Sequence, residues 1–303
     1  MIIPSSSASR CLSLVMILGL LLINLVWLPF GELSFDEHTW LVLIITLLLV
    51  VLAIVFHQKF KIPSALVNIV IELFIVLMAC WVGFVYSYLV ISVGGILYDE
   101  QLVGIDKTLG FEWLGYSSFF ISNNILCILS LVFYLLIPLL AIFSIMWFCF
   151  YGAVNRASAL VSMLILGAVI CITISGIFPG AGAVGYFLPD QEFYLNNFIL
   201  FDGNYKQSFF DLRDGVGLQV SLLKPIALVS FPSFHACIGI LTILIFREDK
   251  VMYWIMLILN SIGLLTIPIQ GGHHLTDVLG GIVVAVLSYY LVILSGSFLE
   301  HDH

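Results

Sequence analysis

Charged residues are scarce in this sequence. They make up 9% of the 303 residues, whereas hydrophobic residues make up 62%. A water-soluble domain of this size and composition would expose large apolar patches, so the sequence excludes one. The ten basic residues form no stripe or cluster of the kind that binds nucleic acid. The six cysteines lie in or beside apolar segments without a Cys-x-x-Cys pair, which excludes a disulfide framework and a zinc knuckle.

Long apolar runs take up most of the chain. A membrane-spanning helix needs about 20 mostly apolar residues. We predict spans at residues 12–30, 39–56, 64–93, 124–150, 157–178, 233–246, 251–269 and 277–297. The sequence therefore predicts an all-α fold, a polytopic membrane helical bundle of about eight transmembrane helices.

Basic residues near the span ends indicate the orientation of the bundle. Six of them fall on one side if the spans alternate: Arg10, Lys59, Lys61, Arg156, Arg247 and Lys250. Because short loops rich in Lys and Arg remain in the cytoplasm, this side is predicted to be cytoplasmic. The long loop 179–231 and the turn 271–274 are then extracytoplasmic.

Two short polar clusters border apolar spans on this outer side. The first reads Phe231-Pro232-Ser233-Phe234-His235, and the second reads Gly271-Gly272-His273-His274-Leu275-Thr276-Asp277. We expect Pro232 in the first turn of a helix, where free N–H groups and the Ser233 hydroxyl would bind an anion. A carboxylate on one imidazole nitrogen leaves the other nitrogen free as a nucleophile, and a second histidine can donate a proton. The clusters thus contain the parts of a phosphoryl transfer site.

These clusters resemble the second and third signature motifs of the type 2 phosphatidic acid phosphatase superfamily, P-S-x-H and H-x-x-x-D. Members of that superfamily act on lipid phosphates. The resemblance implies that His273 is a nucleophile that forms a phosphohistidine and that Asp277 orients it. It also implies that His235 is the general acid and that Ser233 binds the substrate phosphate.

The sequence departs from the superfamily pattern at the basic residues. The arginine expected six residues before the nucleophile is replaced by Ile267, and the first signature, a lysine followed by Arg-Pro, is missing. The segments Asp211-Leu212-Arg213-Asp214-Gly215 and Ser230-Phe231-Pro232-Ser233-Phe234-His235, together with Gly271-Gly272-His273, resemble the branch that includes inositol phosphorylceramide synthases. By this resemblance Arg213 replaces the missing arginine, Lys224 lies behind it, and Gly272 is a further phosphate-binding residue. An arginine fork suits two phosphate oxygens, which favours Arg213 over Lys224.

Other polar residues near the outer surface leave alternatives open. His274 competes with His273 for Asp277, and Asp277 can also serve as a helix cap. Asp99, Glu100 and Asp106 could bind a metal, but we expect these carboxylates to be solvated. They belong to an aromatic-rich segment, residues 97–121, that suits an interfacial helix at headgroup depth.

Glu72 lies inside the third predicted span, where an ionisable group is costly. It shares a helical face with Asn68, and we expect a protonated Glu72 hydrogen-bonded to Asn68. The alternative is a proton-coupled transporter in which Glu72 and the histidines relay protons.

Composition and resemblance together predict a membrane enzyme with a lipid phosphate or phospholipid substrate and without a cofactor, a metal or a nucleic acid partner. It would be a phosphatase or a phosphotransferase, and a headgroup transferase of the inositol phosphorylceramide synthase type is the alternative. We divide the chain into two additional N-terminal helices, residues 1–62, and a six-helix catalytic domain, residues 63–303. We expect a bacterial inner-membrane protein whose active site faces the periplasm or the exterior.

Overall fold

The computed structural model describes residues 3–30, 33–36, 48, 63–187, 205–216, 218–220, 226 and 228–301. Lys224 lies outside the described residues, and so does the predicted second span, 39–56, apart from residue 48. Two short strands, β1 (Leu33–Phe35) and β2 (Leu218–Val220), pair in parallel. The rest of the described regular structure is helical.

The described helices include six that are long and apolar enough to cross a membrane, which confirms an all-α polytopic membrane bundle. In chain order the helices are α1 (Ser6–Trp27), α2 (Ser64–Ser92), α3 (Asp99–Thr108), α4 (Trp113–Ile121), α5 (Asn124–Phe150), α6 (Val154–Ile177), α7 (Gly182–Phe187), α8 (Tyr205–Arg213), α9 (Phe234–Ile245), α10 (Lys250–Gln270) and α11 (Leu275–His301). The long ones are α1, α2, α5, α6, α10 and α11. A lipid environment enforces this architecture, because backbone polar groups without water must be satisfied within helices.

Helix α6 lies in the middle of the bundle. It packs against α1, α2, α5, α9 and α11. Small and medium side chains along it are fully buried, among them Ala157, Ala159, Leu160 and Val161. The shorter α9, with 12 residues, packs between α10, α11 and α6. Since a span needs about 20 residues, α9 is too short to cross a membrane by itself.

The segment 97–121 differs from the predicted interfacial helix. It forms two short helices, α3 and α4, and the Trp113 side chain is buried rather than placed in an aromatic belt. The Trp113 indole N–H donates to the Pro268 carbonyl at 2.7 Å, and the Tyr116 hydroxyl donates to the Leu265 carbonyl at 2.7 Å. Pro268 lies in the last turn of α10, where carbonyls have no N–H partner within the helix, so its carbonyl can take a side-chain donor from α4. Helix α4 is thereby fixed to the end of α10.

Glu72 forms an ion pair that the sequence did not predict. Its Oε1 accepts a hydrogen bond from the Arg10 Nε at 2.8 Å and from the Ser158 hydroxyl at 2.5 Å. Asn68 instead accepts a hydrogen bond from the Arg10 Nη2. The expected hydrogen bond between Glu72 and Asn68 is therefore wrong, because Arg10 lies inside α1 and donates to both residues. The pair joins α1 to α2 and α6.

We expect Glu72→Gln to lower the stability of the protein by about 2 kcal/mol, because it leaves the Arg10 guanidinium without its buried carboxylate. The change should appear as a lower thermal unfolding temperature in detergent. Phosphate release should change little, since Glu72 lies near the start of α2 and the motifs lie at the other end of the bundle. Glu100→Gln removes an exposed carboxylate and is the matched control. A loss of activity without a loss of stability would favour the proton relay instead.

Candidate active site

Asp277 lies at the centre of the candidate site. Its Oδ2 accepts hydrogen bonds from the His273 Nδ1 at 3.0 Å, the Ser230 hydroxyl at 2.7 Å and the His274 backbone N–H at 3.0 Å. The carboxylate is fully buried. Because the His273 Nδ1–H donates to the carboxylate, the lone pair of this ring is on Nε2. A nucleophilic imidazole needs this arrangement.

The turn 271–274 sets the direction of the His273 ring. Gly272 has a φ of 63°, a left-handed value that glycine adopts without steric cost. Its carbonyl accepts a hydrogen bond from the Val184 N–H at 3.3 Å, and its own N–H donates to the Ile269 carbonyl at 3.4 Å. Gly272 therefore shapes the turn, and its role as a phosphate ligand stays a prediction.

Ser233 begins the helix that carries His235. It is the N-cap of α9, with its hydroxyl accepting from the Ala236 N–H at 3.5 Å. Pro232 precedes this N-cap and so lies outside the helix rather than in its first turn. The N-cap position favours Ser233, because a serine oxygen can accept from the free N–H groups of α9 and proline has no such group. The Ser233 N–H donates to the Asp277 carbonyl at 2.9 Å, which ties the two motifs together.

Gly281 allows the two motif helices to approach each other closely. It lies one turn after Asp277, and a Cβ at this position would overlap the Ser233 carbonyl. Helices α9 and α11 therefore pack at short distance beside the site. His235 and His273 come close together, because a Cβ at Gly271 would contact both the His273 ring and the Tyr134 ring that stacks on His235.

His235 is held by a tyrosine from α5. The Tyr134 hydroxyl lies 3.2 Å from the His235 Nδ1, and the two rings stack with centroids 4.4 Å apart. This contact occupies Nδ1 and leaves Nε2 available for a substrate. Nothing in the sequence singles out Tyr134 among the twelve tyrosines, because it lies in an apolar span 101 residues from His235.

Arg213 ends α8 and lies outside hydrogen-bond contact with the two motif histidines. Its Nη2 donates to the Gly95 carbonyl, and its guanidinium lies over the Phe209 ring, 5.5 Å from the centroid. Its Nη1 is buried and has no hydrogen-bond partner among the described residues. Arg213 thus has one donor group available, but its role as a phosphate clamp stays a prediction. Lys224 lies outside the described residues and is likewise untested.

Two carboxylates expected to be solvated are buried beside the site. Asp99 is 2% exposed and Asp106 is 3% exposed, whereas Glu100 faces out. The His274 ring contacts Asp99 rather than Asp277, with Nε2 3.3 Å from Oδ1. The spacing of seven residues between Asp99 and Asp106 places them on one face of α3. This spacing is the feature of the sequence that could have predicted that the two carboxylates act together. Within the described part of the chain, no group of three His, Cys, Asp or Glu side chains is placed to hold a metal.

Comparison with known families fits this geometry. A family model described as the PAP2 superfamily matches residues 100–291. The chain belongs to the PAP2 superfamily. Members of this superfamily are phosphatases and phosphotransferases. No curated protein and no solved structure matches the sequence.

The PAP2 match contains both motif clusters and every residue that surrounds Asp277. It begins at residue 100, so α1 and α2 precede it. The predicted superfamily is thereby confirmed. The division of the chain at residue 62 stays a prediction, because the match does not reach that point.

Proposed function

We propose that this PAP2 protein is a membrane phosphatase or phosphotransferase that acts on a lipid phosphate through a phosphohistidine intermediate. One observation carries the proposal: His273, with its Nδ1 on a buried carboxylate, lies beside a second histidine whose Nδ1 is also occupied. Both rings thus have Nε2 available for chemistry. This pairing is the arrangement that nucleophilic attack with protonation of the leaving group requires.

The reaction has two balanced steps. In the first, the His273 Nε2 attacks phosphorus, the bond from phosphorus to the lipid oxygen breaks, and that oxygen takes a proton from the His235 Nε2. Asp277 stabilises the positive charge that develops on His273. In the second, a water or another hydroxyl attacks the phosphohistidine and gives its proton to His235. The phosphorus–nitrogen bond then breaks and both histidines return to their starting forms.

The substrate phosphate needs donors near His273. The first turn of α9 has N–H groups without acceptors in the helix, and anions bind favourably at such termini. Ser233 begins this turn, and its hydroxyl hydrogen can be donated to a phosphate oxygen. Arg213 would contribute its unpaired Nη1. We assign Lys224 and Gly272 supporting roles in the same anion site.

The surroundings favour a lipid substrate and an extracytoplasmic site. Helix α9 runs from His235 at one end toward Arg247 at the other, where Arg156 pairs with Glu248 at 2.5 Å. Because basic residues mark the cytoplasmic side, the motifs lie at the opposite face.

Lipid-facing apolar side chains surround the bundle, so a substrate with acyl or isoprenyl chains can enter from the membrane. A bacterial inner membrane with the site facing the periplasm or the exterior fits this orientation.

Headgroup transfer is the second candidate, as in inositol phosphorylceramide synthases. The position of the usual motif arginine is taken by Ile267, which is fully buried, so the charge around the phosphate differs from that in simple phosphatases. A singly charged phosphodiester needs less cationic neutralisation than a phosphomonoester. His273 would then attack the diester phosphorus, and the bond from phosphorus to the oxygen of the donor lipid would break. The hydroxyl of a second lipid would then receive the headgroup phosphate.

The test is phosphate release by the purified full-length protein from a panel of lipid phosphates in the presence of a chelator. We expect release from at least one of phosphatidic acid and the isoprenyl phosphates. Paired donor and acceptor lipids, followed by mass spectrometry of the products, separate transfer from hydrolysis. Absence of both reactions on the whole panel would overturn the proposal.

A further inference from the structure

A second buried charged cluster lies beside the catalytic residues, formed by His274 with Asp99 and Asp106 from α3. The His274 Nε2 is 3.3 Å from the Asp99 Oδ1, and the His274 Nδ1 is 3.8 Å from the Asp106 Oδ2. The His274 side chain is fully buried. Asp99 thus holds the ring by a hydrogen bond, whereas Asp106 lies beyond hydrogen-bond distance of the Nδ1, which has no hydrogen-bond partner among the described residues, and acts on the ring by charge.

Asp106 also fixes the start of α11. Its Oδ2 accepts from the Leu275 N–H at 3.0 Å, and its Oδ1 accepts from the Thr276 N–H at 2.8 Å and the Thr276 hydroxyl at 2.5 Å. A carboxylate on the first N–H groups of a helix acts as a cap and complements the positive end of its dipole. The helix held in this way carries Asp277 in its first turn.

Asp99 fixes the turn that precedes α7. Its Oδ2 accepts from the Ala181 N–H at 2.9 Å, and the nearby Val184 N–H donates to the Gly272 carbonyl. Helix α3 therefore holds the turn 271–274 from two sides. Neither carboxylate belongs to the motif pairs that carry the proposed reaction.

We propose that Asp99, Asp106 and His274 form a positioning cluster in which the ion pairs of His274 tie the turn 271–274 to α3 and thereby keep the His273 ring aligned on Asp277. The cluster deepens the proposed function and rests on it. The turn that His274 anchors also carries His273, and the His274 backbone N–H donates to Asp277. A nucleophile must be held close to its productive geometry, so a loosened turn would slow the attack on phosphorus.

The charged groups around His274 favour its protonated form. Burial disfavours the charge, but the hydrogen bond that His274 donates to Asp99 and the charges of Asp277, Asp99 and Asp106 outweigh burial and raise the pKa of His274. The rings of Tyr186 and Phe187 from α7 lie 6.4 Å and 6.3 Å away. Arg213 from α8 interacts electrostatically with Asp99. A charged His274 ring therefore pairs with the two carboxylates of α3.

The test uses Asp99→Ala, His274→Gln and the conservative Asp99→Asn, with Glu100→Ala as the control, since it removes an exposed carboxylate from the same helix. We expect kcat to fall about tenfold in Asp99→Ala and His274→Gln with KM nearly unchanged, because alignment rather than binding is lost. Asp99→Asn keeps an oxygen that can accept from the Ala181 N–H and should restore part of kcat. A role in packing alone would lower thermal stability without this division between kcat and KM.

A measurement without substrate separates this result from the proposed reaction. The rate at which diethyl pyrocarbonate modifies His273 at one fixed pH, localised by mass spectrometry, reports the position of the ring. If wild type releases no phosphate but this rate changes in Asp99→Ala and His274→Gln and not in Glu100→Ala, the cluster stands and the proposed function fails. Where His274→Gln does not fold, judged by thermal unfolding in detergent, Asp99→Ala and Asp99→Asn carry the test. Folded variants whose kcat and modification rate equal those of wild type would overturn the cluster.

Discussion

His273→Ala is expected to reduce phosphate release by at least about 10⁴-fold, since the atom that attacks phosphorus is removed. The side chain makes its main polar contact with Asp277, and alanine leaves that carboxylate with the Ser230 hydroxyl and the His274 N–H as remaining donors. The protein should therefore remain folded. Stopped and denatured reactions with radiolabelled lipid phosphate should show an acid-labile, base-stable phosphoryl label on wild type and none on the variant.

The control for this prediction is His57→Ala, which removes a histidine outside both motifs. It should keep both the label and the rate of release. Mass spectrometry of the labelled wild-type protein should place the phosphoryl group on His273 rather than on His274. A label on another residue, or full activity of His273→Ala, would contradict the phosphohistidine mechanism.

The membrane-spanning helices could be predicted closely from hydropathy. Predicted spans at 64–93, 124–150 and 251–269 correspond to Ser64–Ser92, Asn124–Phe150 and Lys250–Gln270. The apolar length of a span is a local property, because each helix satisfies its own backbone and faces lipid. The segment 97–121 was harder to predict, because it mixes polar, aromatic and aliphatic residues without a long apolar run. Whether Trp113 lies in an interface or a core depends on the Pro268 carbonyl, 155 residues away.

The motif residues could be predicted because they lie close together in the sequence. The residues from other helices that contact them could not be predicted. The contact of His273 with Asp277 spans four residues, so one helical turn brings them together. The contacts of His235 with Tyr134 and of His274 with Asp99 join residues 101 and 175 positions apart. Such contacts are set by how α3 and α5 pack on α9 and α11. A single sequence contains no periodicity that reports this packing.

The error at Glu72 has a similar origin. Asn68 and Glu72 share a helical face, and this local spacing suggested a bond between them. Arg10 was assigned to a loop because basic residues usually mark the ends of spans, whereas it lies in the second turn of α1. The Arg10 guanidinium reaches both side chains, so the long-range ion pair replaces the expected local bond.

His235→Asn is expected to lose about 10³-fold in phosphate release from a lipid phosphate but only about tenfold with 4-nitrophenyl phosphate, whose leaving group needs no proton. An alkyl alkoxide is a poor leaving group, so the general acid matters most for the lipid. Tyr134→Phe keeps the ring stacked on His235 and removes only the hydroxyl near its Nδ1, so it should cause a smaller loss. Equal losses of His235→Asn on both substrates would contradict a general acid. They would indicate instead that His235 binds the phosphate, with the proton reaching the leaving oxygen from water.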